Sequence, residues 1–423
     1  MKYKRSLLKN GLRVLTVPMA GTQTVTVIVM VGAGSRYEKE KEAGLSHFVE
    51  HMFFKGTIKR PTTLDISEEL DAVGGEFNAF TSKDKTLYYA KVDAKHFSIA
   101  LDVVADIFLN SKMDAKEIEK EKGTILQELN MYEDTPVRTV ADVFENLLYA
   151  GNSLGREIVG TKKTVAALER GKFIEYLKNF YVANNTIICV AGKFDEKKVL
   201  KSVEKYFSPM RKNKMAGFSS VRDNQNQPAV KIKFKKTDQT HFILGVRAYK
   251  ENHPHRFALS LLAVILGGNM SSRLFIEVRE KLGLAYYVRT EVEAYSDCGY
   301  LATQVGVEHK NLELAIKTIW KEYQKIASFK VSDKELQNAK DFIKGKSLMG
   351  LEASDEVAMF FASQEMKKKK ILTPAEIFAK IDKVSAVDIL KVAQEIFSQK
   401  KLNLAIIGPH KDAQKIKALL NLK

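Results

Sequence analysis

The chain has 423 residues, 45% hydrophobic and 28% charged, which suits two domains with full cores and excludes a disordered chain. Lysine plus arginine outnumber aspartate plus glutamate 68 to 51, for a net +17, yet the basic residues are spread along the whole length. Cys189 and Cys298, the two cysteines, stand far apart, which excludes a disulfide framework and a thiolate metal site.

The N-terminus is basic, with Glu38 its first acidic residue. Lys9 and Arg13 break the apolar stretch that a signal peptide needs, so a soluble, cytoplasmic protein is expected. Leu12 to Val17 and Thr24 to Val31 read as strands, the second opening with the alternation Thr-Val-Thr-Val. Helices are expected over Lys41 to Phe54 and Leu64 to Val73. A β-hairpin follows over Phe77 to Val92, turning at Ser82-Lys83-Asp84-Lys85. Helical patterns fill Phe97 to Tyr181, with breaks near Asp134-Thr135-Pro136 and Gly151 to Gly160. Thr186 to Gly192 is a short buried strand, and Glu196 to Phe207 a helix. Arg222 to Pro228 carries no large apolar residue and reads as a linker. Farther on, the densest basic run, Lys367 to Lys370, suits a solvated helix end.

The second half repeats the first in outline. Tyr89-Ala90-Lys91-Val92, a helix and Met113 to Ile118 correspond to Tyr300-Leu301-Ala302-Thr303, a helix and Val331 to Leu336. Ile187 to Gly192 likewise matches Leu404 to Gly408. The expected fold class is therefore α+β, with two homologous domains, each a largely antiparallel sheet backed by helices. The expected division is 1–215, a linker at 216–228, and 229–423.

His47-Phe48-Val49-Glu50-His51 carries the chemistry. On a helix the two histidines lie about 40° apart and one turn apart, with Glu50 about 60° to the other side of His47. Leu45, Phe48, Val49, Met52 and Phe53 point away, into a core. Two imidazoles and a carboxylate on one face suit zinc with a base beside its water. The same spacing also suits a helix whose two histidines are merely solvated. A catalytic zinc needs a third protein ligand, and Asp114 to Asp134 holds candidates. Glu121 and Glu128, seven residues apart, share one face there, and periodicity alone does not choose between them.

With these residues the chain resembles the pitrilysin or insulinase family of inverted zincins, H-x-x-E-H, and within it the processing-peptidase-like branch. Gly32-Ala33-Gly34-Ser35-Arg36, His47 to Gly56, Glu119 to Lys122 with Glu128, Asp134-Thr135-Pro136 and Leu154-Gly155-Arg156 carry the resemblance. It implies a metallohydrolase fold with one zinc per chain, ligands His47, His51 and Glu128, and Glu50 as general base and acid. It implies that Glu121 orients a ligand. Gly75 to Thr81 resembles the family's active-site edge strand, so Asn78, Ala79 and Phe80 are candidate substrate contacts by strand addition. Gly267 to Leu274 and Arg279 to Tyr286 resemble a second signature, in which Arg279 and Tyr286 hold substrate backbone and the developing oxyanion.

The repeat sets Lys340 opposite Glu121 and Ser347 opposite Glu128, and Ala258 to Gly268 lacks histidine and glutamate. The second copy is thus expected to hold substrate rather than metal. The resemblance also implies a peptide-enclosing chamber of four such units, hence a homodimer. The competing readings are a non-catalytic subunit of the same fold, or a basic nucleic-acid-binding protein. The first expects lost zinc residues, the second a recognisable nucleic-acid motif, and the chain meets neither expectation.

Overall fold

The structure is a computed structural model that describes residues 1–367 and 370–420. Lys368 and Lys369 of the basic run lie outside the described residues. In chain order the first half runs β1 (Lys4–Leu7), β2 (Arg13–Pro18), β3 (Thr24–Val31), α1 (Leu45–Met52), α2 (Thr63–Asp71), β4 (Glu76–Thr81) and β5 (Thr86–Asp93). It continues with α3 (Phe97–Asn110), α4 (Ala115–Glu133), α5 (Pro136–Leu148), α6 (Lys162–Ala166), α7 (Arg170–Phe180), β6 (Thr186–Gly192) and α8 (Glu196–Phe207). The second half runs β7 (Ala229–Phe234), β8 (Thr240–Ala248), α9 (Arg256–Gly267), a π-helix (Phe275–Lys281), β9 (Ala285–Ala294) and β10 (Gly299–Val307). It ends with α10 (Leu312–Ser328), α11 (Asp333–Gly350), α12 (Ser354–Met366), α13 (Pro374–Asp382), α14 (Ala386–Ile396), β11 (Leu402–Gly408) and α15 (Ala413–Ala418). Among the described residues no helix is long and apolar enough to cross a membrane.

Both sheets follow one plan, as the repeat in the sequence predicts. The first has the order β1-β2-β6-β3-β5-β4, the second β7-β11-β8-β10-β9. Each contains one parallel pair, β2 with β6 and β7 with β11, and is otherwise antiparallel. β4 and β9 are the matching edge strands. β1 was not visible in the sequence, because four largely exposed residues carry no alternating apolar signal.

The two compact units differ from the contiguous domains expected at 1–215 and 229–423. One comprises residues 1–130, 156–218 and 347–375; the other comprises 131–155, 219–346 and 376–423. The repeat-related helices α5 and α12 are therefore exchanged. In the first unit, Val357, Ala358, Phe361 and Ala362 of α12 enter one core with Leu15, Ile28, Met30 and Cys189 of the sheet. Polar anchors fix the same helix. Ser354 Oγ lies 3.0 and 2.8 Å from the hydroxyls of Thr24 and Thr26, and Arg13 donates to the Glu365 carbonyl at 2.9 Å. In the second unit, Val140, Val143 and Phe144 of α5 pack against Ile243, Ala302, Ala405 and Ile407. Gly245 makes the room, since a Cβ there would stand 2.8 Å from Phe144 Cζ and 2.6 Å from Ala302 Cβ.

The expected linker is irregular but pinned. Asn152 donates to the Ser219 carbonyl at 3.1 Å, Val221 N–H donates to Asp297 at 2.9 Å, and Asn403 donates to Gln225 at 3.0 Å.

Candidate metal centre

α1 is shorter than the helix expected over Lys41 to Phe54. It starts only at Leu45, because Gly44 sits at φ +98° and turns the chain out of the helical path. A Cβ on Gly44 would meet the Val159 carbonyl at 2.5 Å, so the residue is needed for the close backbone approach as well. Leu45, Phe48, Val49 and Met52 are buried, which anchors α1 in the first unit and leaves the histidines on its other face.

His47 Nε2 and His51 Nε2 stand 3.2 Å apart, and each lies 3.6 Å from Glu128 Oε2 on α4. Ligand atoms about 2.0–2.1 Å from one ion at tetrahedral angles stand about 3.3 Å apart, so the triangle fits zinc. Among the described residues this is the one group of three or more His, Cys, Asp or Glu side chains with donor atoms converging this closely. Two imidazole nitrogens and a carboxylate oxygen gathered around one point are the ligand types that zinc takes. Periodicity had left Glu121 and Glu128 as alternatives; α4 turns both toward α1, in different places. Glu121 Oε1 lies 2.9 Å from His51 Nδ1, the ring nitrogen away from the triangle. Its carboxylate therefore accepts the Nδ1 proton and leaves the Nε2 lone pair for a metal.

Glu121 is 3% exposed. Burial alone would raise its pKa, but hydrogen bonds from His51 and from Lys55, whose Nζ is 2.7 Å away, hold it down at about 2. Glu50 shifts the other way. Burial pushes its pKa up and Glu128 adds to the rise, against the opposing pull of Thr81 and His51. Thr81 Oγ1 donates to Glu50 Oε2 at 2.5 Å, which ties the end of β4 to the face of α1 that carries the histidines.

β4 is paired on one side only, with β5. Asn78 and Phe80 are exposed and Ala79 half-buried, and Asn78 Oδ1 accepts the Ala79 N–H at 2.8 Å. Arg279 and Tyr286 belong to the second unit. Arg279 lies on the π-helix, with its guanidinium carbon 4.7 Å from the Phe275 ring centre and 5.2 Å from that of Tyr286. Tyr286, at the start of the edge strand β9, is 78% exposed. Lys340, opposite Glu121 in the repeat, is buried and donates to the Asp382 carbonyl at 2.9 Å.

Sequence reasoning missed Lys55, Thr81 and Glu38. The Glu38 carboxylate accepts the Ser46 N–H and O–H, both at 2.6 Å, and the Gly44 N–H at 2.9 Å. Burial pushes its pKa up to about 7, although Ser46, Gly44 and Arg156 all act to lower it. A glutamate shortly before the motif was the available signal.

The family model for the insulinases, peptidase family M16, matches residues 13–162. That of the peptidase M16 inactive domain matches residues 167–342. A Rickettsia felis protein named as an uncharacterized zinc protease is 38% identical over 96% of this chain and 98% of its own. This chain belongs to the insulinase family. A Bacillus subtilis relative, named as an uncharacterized zinc protease, is 35% identical over 96% of this insulinase-family chain and 98% of its own. The crystal structure of a protease from Helicobacter pylori superposes with a TM-score of 0.90 at 22% identity, covering 96% of this chain and 99% of that one. The crystal structure of a peptidase M16 inactive domain from Pseudomonas fluorescens gives 0.89 at 16% identity, covering 97% and 98%. The two-domain α+β fold is thus the insulinase-family fold.

Proposed function

We propose that this chain is a zinc-dependent endopeptidase acting on peptides, with one zinc held by His47, His51 and Glu128. The carrying observation is the 3.2, 3.6 and 3.6 Å triangle of donor atoms, with Glu50 beside it on the same helix. The names of the relatives, zinc proteases, support the same reading.

Zinc bound there would lower the pKa of a water and polarise the scissile carbonyl. Glu50 takes the water's proton and passes it to the leaving amine, a role suited to a carboxyl whose pKa burial has raised. Thr81 holds one Glu50 oxygen and so orients the other. Glu121 fixes the tautomer and direction of His51. The open edge of β4, at Asn78, Ala79 and Phe80, pairs with an extended substrate through backbone hydrogen bonds, so side-chain identity matters little there. Arg279 and Tyr286 steady the substrate backbone and the oxygen that gains charge. In this reading two chains form a homodimer whose four units enclose the peptide.

The test is digestion of a peptide mixture by purified protein, with and without chelator, read by mass spectrometry. Cleavage that stops with chelator and returns with zinc is the expected result. Cleavage indifferent to chelator, or none from zinc-loaded protein, overturns the proposal.

A further inference from the structure

α1 carries His47, Glu50 and His51 on eight residues, too short to be stable by itself. None of its own side chains caps it, because its N-cap is Gly44 in the left-handed region. The free N–H groups of a helix start must nevertheless be satisfied when buried. Glu38, 6% exposed, does this from outside the helix through its three bonds to Gly44 and Ser46.

The arrangement around Glu38 is built in two further layers. Ser46 Oγ lies 2.9 Å from the hydroxyl of buried Tyr176 on α7. The Arg156 guanidinium donates to the Glu38 carbonyl, and Lys83 Nζ donates to the Arg156 carbonyl at 2.6 Å. Gly160, at φ +80°, packs its Cα against the backbone of Ala43 and Gly44, where a Cβ would stand 2.3 Å from the Ala43 carbonyl. These contacts give a role to Arg156 of Leu154-Gly155-Arg156, a residue that the metal chemistry does not use.

We infer that Glu38 is a positioning residue, which fixes the start of α1 and thereby the placement of His47, Glu50 and His51 against Glu128. Its carboxyl satisfies both backbone N–H groups with or without its proton, because the Ser46 hydroxyl can reverse direction and donate to Tyr176. An amide cannot do this. In either orientation of a glutamine, one backbone N–H faces the amide's NH2 group.

The consequence for turnover rests on the peptidase reading, whereas the consequences for the helix and for metal affinity do not. The test compares wild type with Glu38→Gln by amide hydrogen exchange of the metal-free protein, zinc affinity by chelator competition, and kinetics per bound zinc. Exchange at Gly44 and Ser46 should quicken at least about tenfold while β3 and β5 stay protected. Zinc affinity should fall about 10–100-fold. The kcat per bound zinc should drop about tenfold or more with KM nearly unchanged, because β4 still holds the substrate. A role in global stability alone would lower the yield of folded protein but not kcat per bound zinc.

Should Glu38→Gln not fold, Ser46→Ala carries the test, with smaller changes in the same directions. Wild-type exchange at Gly44 and Ser46 together with wild-type zinc affinity overturns the inference. Zinc-loaded wild type that cleaves nothing would end the peptidase reading, while faster exchange and weaker zinc binding in the variant would still support the cap.

Discussion

Three glutamates within one site do different work, and their surroundings decide which. Glu121 faces His51 and Lys55 and stays ionised down to about pH 2, so it accepts a hydrogen bond from the imidazole Nδ1–H, without taking its proton, at any working pH. Glu50 is half-buried beside Glu128, with its pKa raised by desolvation, and is suited to gain and lose a proton. Glu50→Gln should cut kcat by about 10²–10⁴-fold with zinc content unchanged, which metal analysis of the purified variant checks. Loss of zinc from that variant would make Glu50 a ligand. Glu121→Ala should weaken zinc by about 10–100-fold in chelator competition, because His51 then lacks the partner that sets its tautomer. The two histidines and Glu50 were legible in the sequence, since helical periodicity alone puts them on one face. Glu128 was not legible that way, because its partners sit on another helix, and only the family resemblance named it.

Among the elements, the loop after α1 shows how a turn is held rigid by charge. Arg60 is 1% exposed and reaches Glu69 at 2.6 Å, Asp102 at 2.6 Å and Asp106 at 2.9 Å. Burial would raise the Asp102 pKa, but hydrogen bonds from Arg60, Lys59 and Tyr206 hold it down at about 2. A depressed pKa contributes stability above the unfolded value and loses it as pH falls through the folded one. Asp102 should therefore contribute about 2 kcal/mol above roughly pH 4, vanishing toward pH 2. Acid titrations of thermal stability should show a shallower fall between pH 4 and 2 for Asp102→Asn than for wild type. The helices α5 and α12 teach a different lesson at this scale. Each buries several apolar residues, α5 on an amphipathic face and α12 without a marked one, but nothing local said which sheet would cover them.

For the molecule as a whole, the exchange of α5 and α12 means that neither half of the sequence contains a complete unit. A fragment of residues 1–215 leaves uncovered the sheet face that Val357, Phe361 and Ala362 bury. It should aggregate or bind a hydrophobic dye, and co-expression with residues 219–423 should rescue it, as read by size-exclusion chromatography. A monomeric, cooperatively unfolding 1–215 fragment would contradict the exchange. The proposed homodimer makes a separate prediction. If Arg279 and Tyr286 act on the partner's metal centre, mixing Glu50→Gln with Tyr286→Phe chains should recover part of the lost activity. Demonstrated hybrids with no recovery would place both functions within one chain.

The sequence by itself determined most of the elements, though not β1 or the start of α1, together with the repeat and the face of α1 that carries the candidate metal-binding groups. Each of these follows from spacings of a few residues, or from comparing one stretch of chain with another. The tertiary structure decided which carboxylate of α4 faces the two Nε2 atoms and which takes the far side of His51, which sheet each exchanged helix covers, and that Glu38 closes the start of α1. Those are meetings of groups distant along the chain, fixed by packing and by the need to satisfy buried polar atoms, and a local pattern carries no record of them.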